Sequence, residues 1–170
     1  DTDRSWVSNA EYRTYLTQSR SLDDLAIWNE TDVTFTDPAN PERVSAVSAS
    51  SNLLDVLGAS MARGRFFTED EAMHADTASS NTIVVSHAAW QRRWAGDPSI
   101  VGQRTEVNGR IREVVGVLPE NFRLPTEFAS ADRIDVYFPR WIPRTEVTAY
   151  PEMGGSHYSF VVGRLEPGAT

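Results

Sequence analysis

The sequence has no cysteine, no lysine and no long apolar run, and each absence excludes a class of chemistry. Without cysteine, thiol catalysis, iron–sulfur clusters and the usual structural zinc sites are excluded. All sixteen basic residues are arginine, so Schiff-base and P-loop lysine chemistry is excluded as well. No segment approaches the ~20 apolar residues of a membrane-crossing helix, and the first residues lack the apolar core of a signal peptide. We therefore expect the given chain to be water-soluble.

Positive charge is also scarce relative to negative charge. The formal net charge is -8 and the isoelectric point is near 4.8. Nucleic-acid binders need clustered cations that displace the counterions condensed on phosphates, so we expect no nucleic-acid partner. No Walker A, G-x-G-x-x-G or EF-hand pattern occurs in the sequence, and we expect no cofactor.

The apolar content is sufficient for a packed core. The 170 residues are 40% hydrophobic, which suits one domain over 1–170 with a soft subdomain boundary near residue 50, where small residues cluster. The chain begins at Asp1 rather than at a methionine, and it ends on the turn-like sequence Glu166-Pro167-Gly168-Ala169-Thr170. We interpret it as a fragment of a longer protein.

Four short helices are predicted from capping signals. Ser8 with Glu11 and Thr68 with Glu71 are capping boxes, in which the side chains at the two ends of the first turn satisfy its backbone amides. Ser86 predicts the start of a third helix, whose His87, Trp90 and Trp94 share one face. A further short helix over 52–57 is expected to be capped by Ser51 and ended by Gly58.

Extended segments alternate with these helices. Segments 25–36 and 42–49 predict a hairpin, and Asn108-Gly109 predicts a tight turn between strands at 104–107 and 110–117. A brief buried strand is expected at 82–85, and two further strands at 135–138 and 158–165. The fold class predicted from these elements is α+β, with a mixed or antiparallel sheet and short helices.

Candidate catalytic and metal-binding residues have structural explanations in the sequence. His74, His87 and His157 lack a metal-ligand spacing such as H-x-x-x-H, so we predict packing or surface positions for them. Ser86-His87 and Ser156-His157 are adjacent pairs, and neighbouring side chains in a strand or cap point apart, so neither predicts a nucleophile with its base. We therefore assign no catalytic, cofactor-binding or metal-binding residue.

A series of phrases occurs in a fixed order along nearly the whole chain. They include Pro41-Glu42-Arg43-Val44-Ser45, Leu54-Asp55-Val56-Leu57-Gly58, Arg63-Gly64-Arg65-Phe66-Phe67, Val84-Val85-Ser86-His87-Ala88-Ala89-Trp90, Val114-Val115-Gly116-Val117-Leu118-Pro119 and Val161-Val162-Gly163-Arg164-Leu165. This order and spacing resemble the extracytoplasmic domain of MacB-like and FtsX-like permeases of ABC transporters. Glu166 stands where that family usually has a basic residue, and Leu54 where it usually has an aromatic one.

The resemblance implies a two-lobed, porter- and sabre-like domain on the periplasmic face of the bacterial cytoplasmic membrane, here without its C-terminal part. It implies a non-enzymatic role in transport or efflux, in which the domain transmits conformational change or docks a partner or substrate during export. The implied partners are the transmembrane part of its own chain, an ABC ATPase, an adaptor (membrane fusion) protein or lipoprotein, and a second copy in a homodimer.

Two alternatives stay open. A secreted carbohydrate-binding domain would need at least two exposed, coplanar tryptophans among Trp6, Trp28, Trp90, Trp94 and Trp141. A periplasmic hydrolase would need Asp, Glu or His side chains in mutual contact in a cleft. The permease hypothesis predicts exposed apolar patches in place of a small polar pocket, and it favours the loops at 72–80 and 139–156 as contact surfaces.

Overall fold

The computed structural model describes residues 7–75, 81–129, 133–140, 142 and 159–168. In this part the helices are α1 (Asn9–Gln18), α2 (Leu53–Leu57), α3 (Glu69–Met73) and α4 (His87–Trp94), with a 3-10 turn at Pro125–Ala129. The strands are β1 (Leu22–Phe35), β2 (Glu42–Ala49), β3 (Arg63–Gly64), β4 (Thr82–Val85), β5 (Arg104–Val107), β6 (Arg110–Val117), β7 (Ile134–Pro139) and β8 (Phe160–Leu165).

Six of the strands close into a ring. Starting from β1, the order of pairing is β2, β7, β4, β6 and β5, after which Val107 of β5 pairs with Phe35 at the end of β1. The β2–β7 and β4–β6 pairs are parallel, and the other pairs of the ring are antiparallel. The predicted α+β class with a mixed sheet is confirmed.

β1 belongs to two parts of the sheet. Its residues 28–35 pair with β2 inside the ring, while residues 22–28 pair with β8 in a ribbon that extends from it. Residues 25–28 are all buried because both faces of the ribbon are covered, by α1 on one side and α2 on the other. The fourteen residues of β1 therefore connect the ring to the ribbon without a break.

Every strand of the ring contributes to one buried cluster, which forms the core of the ring. Its strand members are Val33, Phe35, Val44, Ala46, Ile83, Val85, Val107, Val114, Val117 and Val136. Ala89 and Trp90 join from α4, and Trp90 donates its indole N–H to the carbonyl oxygen of Asp97 at 2.9 Å. The helix thus packs against the core of the ring through Ala89 and Trp90, and the indole hydrogen bond holds the segment that follows the helix.

Two further clusters cover the ribbon. Beneath α2, Ala26 and Trp28 pack with Leu53, Leu54 and residues of β2, β4, β6 and β7. Beneath α1, Tyr12 packs with Leu25 and Ile27, and its hydroxyl donates to the carbonyl oxygen of Leu25 at 2.9 Å. Burial on this scale is the main favourable term in folding.

The capping predictions are confirmed at three helices and wrong at the fourth. Ser8, Thr68 and Ser86 each accept a hydrogen bond from the first turn of the helix they begin. At α2, Asn52 and not Ser51 occupies the cap position, and it makes no side-chain cap bond. Its amide instead donates to Asp24 and to the carbonyl oxygen of Leu25, so a tertiary contact replaces the local one. Gly58 ends α2 in the left-handed conformation, as predicted.

The predicted loops differ in how far they are described. Residues 72–73 of the predicted 72–80 loop are the end of α3, so the helix runs further than the sequence suggested. Residues 76–80, and 141 and 143–156 of the predicted 139–156 loop, lie outside the described residues. The same holds for Tyr158, where the last strand was expected to begin.

The tight turn between β5 and β6 also closes the ring. Asn108 and Gly109 both have positive φ, at 50° and 72°, as the predicted two-residue hairpin turn requires. Asn108 donates its backbone N–H to the carbonyl oxygen of Thr34, and its side-chain oxygen accepts from the Thr34 N–H, both at 2.8 Å. The turn residue thus adds two hydrogen bonds beside the single β1–β5 ladder pair.

Candidate functional site

A cleft of about 200 Å³ opens beside the first turn of α4. It lies between that turn, the segment that follows β6, and the beginning of β7. We call it the α4 cleft; the polar residues that line it include Ser86, His87, Gln91, Arg123, Arg133 and Tyr137. A pocket of this kind was not expected, since the sequence predicted apolar patches and not convergent polar groups.

The residues that begin α4 are held by structural contacts. The Ser86 hydroxyl accepts from the Ala89 N–H at 3.0 Å and donates to the Asp135 carboxylate at 3.1 Å. The His87 ring stands edge-on to Trp90, with centroids 5.3 Å apart. Ser86 and His87 therefore make different contacts, as predicted, while Ser156 and His157 lie outside the described residues.

Tyr137 of β7 lines the cleft and is 1% exposed. Its ring meets that of Phe122, another lining residue, edge-on with centroids 6.2 Å apart. Burial, with the nearby Glu127 carboxylate, raises the pKa of Tyr137 well above its usual value, although Arg123 opposes this. The phenol is thus protonated at neutral pH, and its hydroxyl has no hydrogen-bond partner among the described residues.

Two arginines and two glutamates supply the formal charges of the cleft. Arg123 donates to the carbonyl oxygens of Glu120 and Phe122, at 3.3 and 2.6 Å, and Arg133 is exposed. Glu127 is buried, and its carboxylate accepts the backbone N–H groups of Leu124 at 2.7 Å and Ile134 at 3.1 Å. Both Glu127 oxygens are therefore occupied in fixing the loop that shapes the cleft.

An arginine network joins α4 to β2 and β7. Arg92 bridges the carboxylates of Glu42, at 2.9 Å, and Asp135, at 2.7 Å. Arg93 also binds Glu42, at 2.9 Å, and its guanidinium lies 4.0 Å from the centroid of the Phe35 ring. Burial raises the pKa of Glu42, but the hydrogen bonds from Arg93 and Arg92 outweigh it and leave the pKa below its ordinary value. These carboxylates face cations and not each other, unlike a hydrolytic pair.

The remaining candidates occupy structural positions. His74 ends α3, with its ring nitrogen 2.8 Å from the Asp70 carbonyl oxygen. Trp28 and Trp90 are buried, and Trp94 is half-buried with its ring edge-on to Phe35. These three therefore provide no sugar-stacking platform, and Trp6 and Trp141 lie outside the described residues. No group of three or more potential metal ligands occurs in the described part of the chain.

Sequence reasoning missed the α4 cleft because its members come from separate segments. Ser86 and His87 stand out as an adjacent pair, but Arg123, Arg133 and Tyr137 carry no local motif. Arg93 was also missed, since a basic residue in the last turn of a helix ordinarily faces solvent, whereas here its side chain is 5% exposed. The one available signal was its position three residues after Trp90, which brings it near the ring interior.

The fold is shared with extracytoplasmic domains of transporters. The extracellular domain of the noncanonic ABC-type transporter YknZ from Gram-positive bacteria aligns with a TM-score of 0.55 and 19% identity, over 79% of this chain and 73% of that one. The periplasmic region of MacB from Actinobacillus actinomycetemcomitans aligns with a TM-score of 0.58 and 14% identity, over 94% and 79%. The fold class is therefore that of the extracytoplasmic domains of such transporters.

A family model gives the assignment within that class. The model of the MacB-like periplasmic core domain matches residues 3–170, and the chain belongs to this family. A domain described as part of a putative permease protein from Porphyromonas gingivalis aligns with a TM-score of 0.63 and 17% identity, over 98% of this chain and 65% of that one. No curated protein sequence matches. In the described residues, no helix is long and apolar enough to cross a membrane.

Proposed function

We propose that this chain is the extracytoplasmic domain of an ABC-transporter permease, and that it transmits conformational change and docks a partner or substrate during export. The observation that carries the proposal is the family match over residues 3–170, on a fold found in such domains. The domain would lie on the outer face of the bacterial cytoplasmic membrane. Its partners would be the transmembrane part of its own polypeptide, an ABC ATPase, an adaptor protein or lipoprotein, and a second copy in a homodimer.

The construction of the sheet supports a mechanical role. A strand of fourteen residues reaches about 45 Å at the usual rise per residue, and β1 runs unbroken from the ribbon into the ring. Arg164 of β8 donates to the carbonyl oxygens of Asp55 and Val56 at the end of α2, which ties the helix to the ribbon. We therefore expect a displacement applied to the ribbon to move the ring with it.

The side-chain chemistry supports a non-enzymatic role. The two buried carboxylates at the α4 cleft are engaged, Glu127 by two backbone N–H groups and the neighbouring Asp135 by Arg92 and Ser86, whereas Glu120 is an exposed lining residue. A general base must be within hydrogen-bond reach of the proton it removes, and the oxygens of the two buried carboxylates already accept hydrogen bonds from the protein. A hydrolase assay of the chain on peptide, ester and glycoside substrates is expected to show no turnover.

The transport role is tested by inter-copy distances in the parent transporter. The given chain has no cysteine, so a cysteine introduced at Ile111, which is 54% exposed, provides one labelling site per copy within this domain. With other cysteines of the parent replaced, spin labels at this site would report one distance across a homodimer. We expect this distance distribution to shift between the ATP-bound and nucleotide-free states.

A double label within one copy is the matched control. Ile111 and Leu165 are equally exposed and lie on the ring and the ribbon, respectively. We expect their mutual distance in the 170-residue chain to equal that in the nucleotide-bound transporter, because the domain moves as one body. An inter-copy distance distribution that is the same with and without ATP would contradict the transmission role. A monomeric transporter would contradict the proposed homodimer.

A further inference from the structure

Tyr137 has a buried ring and a hydroxyl that the fold leaves unpaired at the α4 cleft. At 1% exposure its ring is part of the core, yet its hydroxyl finds no acceptor among the described residues. The hydroxyl is not among the fully buried unpaired atoms of the described residues, so it reaches the cleft, where a bound acceptor can take the place of water. Because Tyr137 lines the α4 cleft, an acceptor supplied by a bound molecule would satisfy it.

Other donors converge on the same cleft. His87 and Ala88 both line it, and as the first two residues of α4 their backbone N–H groups have no acceptor within the helix. Gln91 lines the cleft one turn further along. Arg133 is exposed and makes no ion pair with the described residues, so its guanidinium can turn toward a ligand. The lining that Tyr137 shares therefore holds several donors, as a site for an anionic oxygen requires.

Charge and size select among anions. Arg123 and Arg133 are offset by Glu120 and Glu127, so the lining carries no formal excess of positive charge and suits a single negative charge better than a phosphate dianion. The cleft of about 200 Å³ is smaller than the 300–1,000 Å³ or so of typical drug-sized ligand sites. A compact carboxylate meets both conditions.

We propose that the α4 cleft is a binding site for a carboxylate, supplied by a small organic acid or by an acidic peptide end, with the Tyr137 hydroxyl and the first N–H groups of α4 as donors and Arg123 and Arg133 as cations. Arg133, at the exposed side, would meet the part of the ligand that projects outward. This site does not depend on the transport role, since a carboxylate would bind whether or not the domain moves with ATP hydrolysis.

The proposal is tested by titrating the ¹⁵N-labelled 170-residue chain while following the amide signals of His87 and Ala88. The probes are succinate, a short peptide ending in glutamate, the same peptide with glutamine and an amidated end, and inorganic phosphate, all at constant ionic strength. We expect saturable shifts at both amides with succinate or the acidic peptide below about 50 mM, and weaker ones with phosphate. Binding of succinate would assign a small organic acid as the source, and binding of the acidic peptide alone would assign a peptide.

Variants distinguish carboxylate binding at the α4 cleft from non-specific binding of anions elsewhere on the chain. Tyr137→Phe removes one hydroxyl and is expected to weaken carboxylate binding at least about tenfold, as for a hydrogen bond to a charged group. Arg133→Gln, at an exposed position that folding does not require, is expected to weaken it several-fold. Arg104→Gln, at an exposed position of β5 outside the cleft, is the control and should leave carboxylate binding unchanged. The proposal is overturned if no probe gives saturable shifts, if phosphate or the amidated peptide binds best, or if Arg133→Gln binds like the wild type.

Discussion

At the scale of single residues, the closest backbone approaches at the described glycines occur where β3 meets β6. Gly64 has a φ of 62°, and a Cβ built on it would lie 2.2 Å from the Val115 carbonyl oxygen. Across the ladder, a Cβ on Gly116 would lie 2.3 Å from the Arg65 carbonyl oxygen. Real Cβ atoms do not approach backbone this closely, so two glycines facing each other allow the strands to pair.

Replacing Gly64 by alanine should therefore cost more than conformational strain alone. Gly109 is the matched control, because its φ of 72° is similar and no atom lies within 4 Å of the position that a Cβ would take there. Gly109→Ala is expected to lose roughly 1–2 kcal/mol of unfolding free energy from left-handed strain. Gly64→Ala is expected to lose about 1–3 kcal/mol more from the collision. Urea denaturation of both variants measures the difference in unfolding free energy. Equal losses would show that β3 shifts to accommodate the added Cβ without further loss of stability.

Glu42 makes the stability of the chain depend on pH. Its hydrogen bonds to Arg93 and Arg92 outweigh burial and hold its pKa below the ordinary 4.5. A depressed pKa in the folded state stabilises the protein above the ordinary value, and this contribution disappears as the pH falls through the folded value. At 30% side-chain exposure, solvent screening limits it to roughly 0.5–1 kcal/mol.

Glu42→Gln should accordingly be less stable than the wild type at pH 7. The difference in unfolding free energy between the two proteins should become smaller near pH 3. Glu30→Gln, at an exposed position of β1, is the comparison variant and should follow the wild type at both pH values. Urea unfolding at the two pH values gives the four free-energy differences required. A gap for Glu42→Gln that is the same at both pH values would mean that its loss comes from packing and not from charge.

At the scale of elements, the β5–β6 hairpin has a second function as the closure of the ring. Only one residue pair, Phe35 with Val107, joins β1 to β5 in the ladder of described strands. Asn108 adds two hydrogen bonds to Thr34, and the Thr36 N–H adds one to the Glu106 carbonyl oxygen at 3.0 Å. The Thr36 hydroxyl adds two more, accepting from the Gly109 N–H at 2.9 Å and donating to the Glu106 carboxylate at 2.6 Å. Asn108 thus supplies two of these five hydrogen bonds across the β1–β5 seam, although a sequence pattern identifies it only as a turn residue.

The two functions of Asn108 can be separated by substitution. Asn108→Gly keeps the left-handed turn and removes the side-chain bond to Thr34, whereas Asn108→Asp keeps an acceptor at the same place. We expect amide hydrogen exchange at Thr34 to accelerate at least about fivefold in Asn108→Gly, as for the loss of one hydrogen bond, and to stay near the wild-type rate in Asn108→Asp. Unchanged exchange in Asn108→Gly would show that the seam holds without this side chain.

At the scale of the whole molecule, local signals predicted the elements, and long-range contacts decided their arrangement. Ser8, Thr68, Ser86 and the Asn108-Gly109 turn act within a few residues, so the sequence displays them directly. The parallel β2–β7 pairing joins segments about ninety residues apart, and no local pattern encodes it. The α4 cleft was hidden for the same reason, because Tyr137 reaches His87 only through the β4–β7 pairing.

The continuous sheet leads us to expect a single cooperative unit, although the sequence suggested a soft boundary near residue 50. β1 and β2, which precede that point, pair with β5, β7 and β8, which follow it. Leu54→Ala, in the cluster beneath α2, should therefore lower the opening free energy of the best-protected amides of β4 and of β1 by the same amount, about 2–4 kcal/mol. Native-state hydrogen exchange measures both. A loss of opening free energy confined to β1 would instead reveal a subdomain that opens separately. The ring and the ribbon would then not be expected to move as one body.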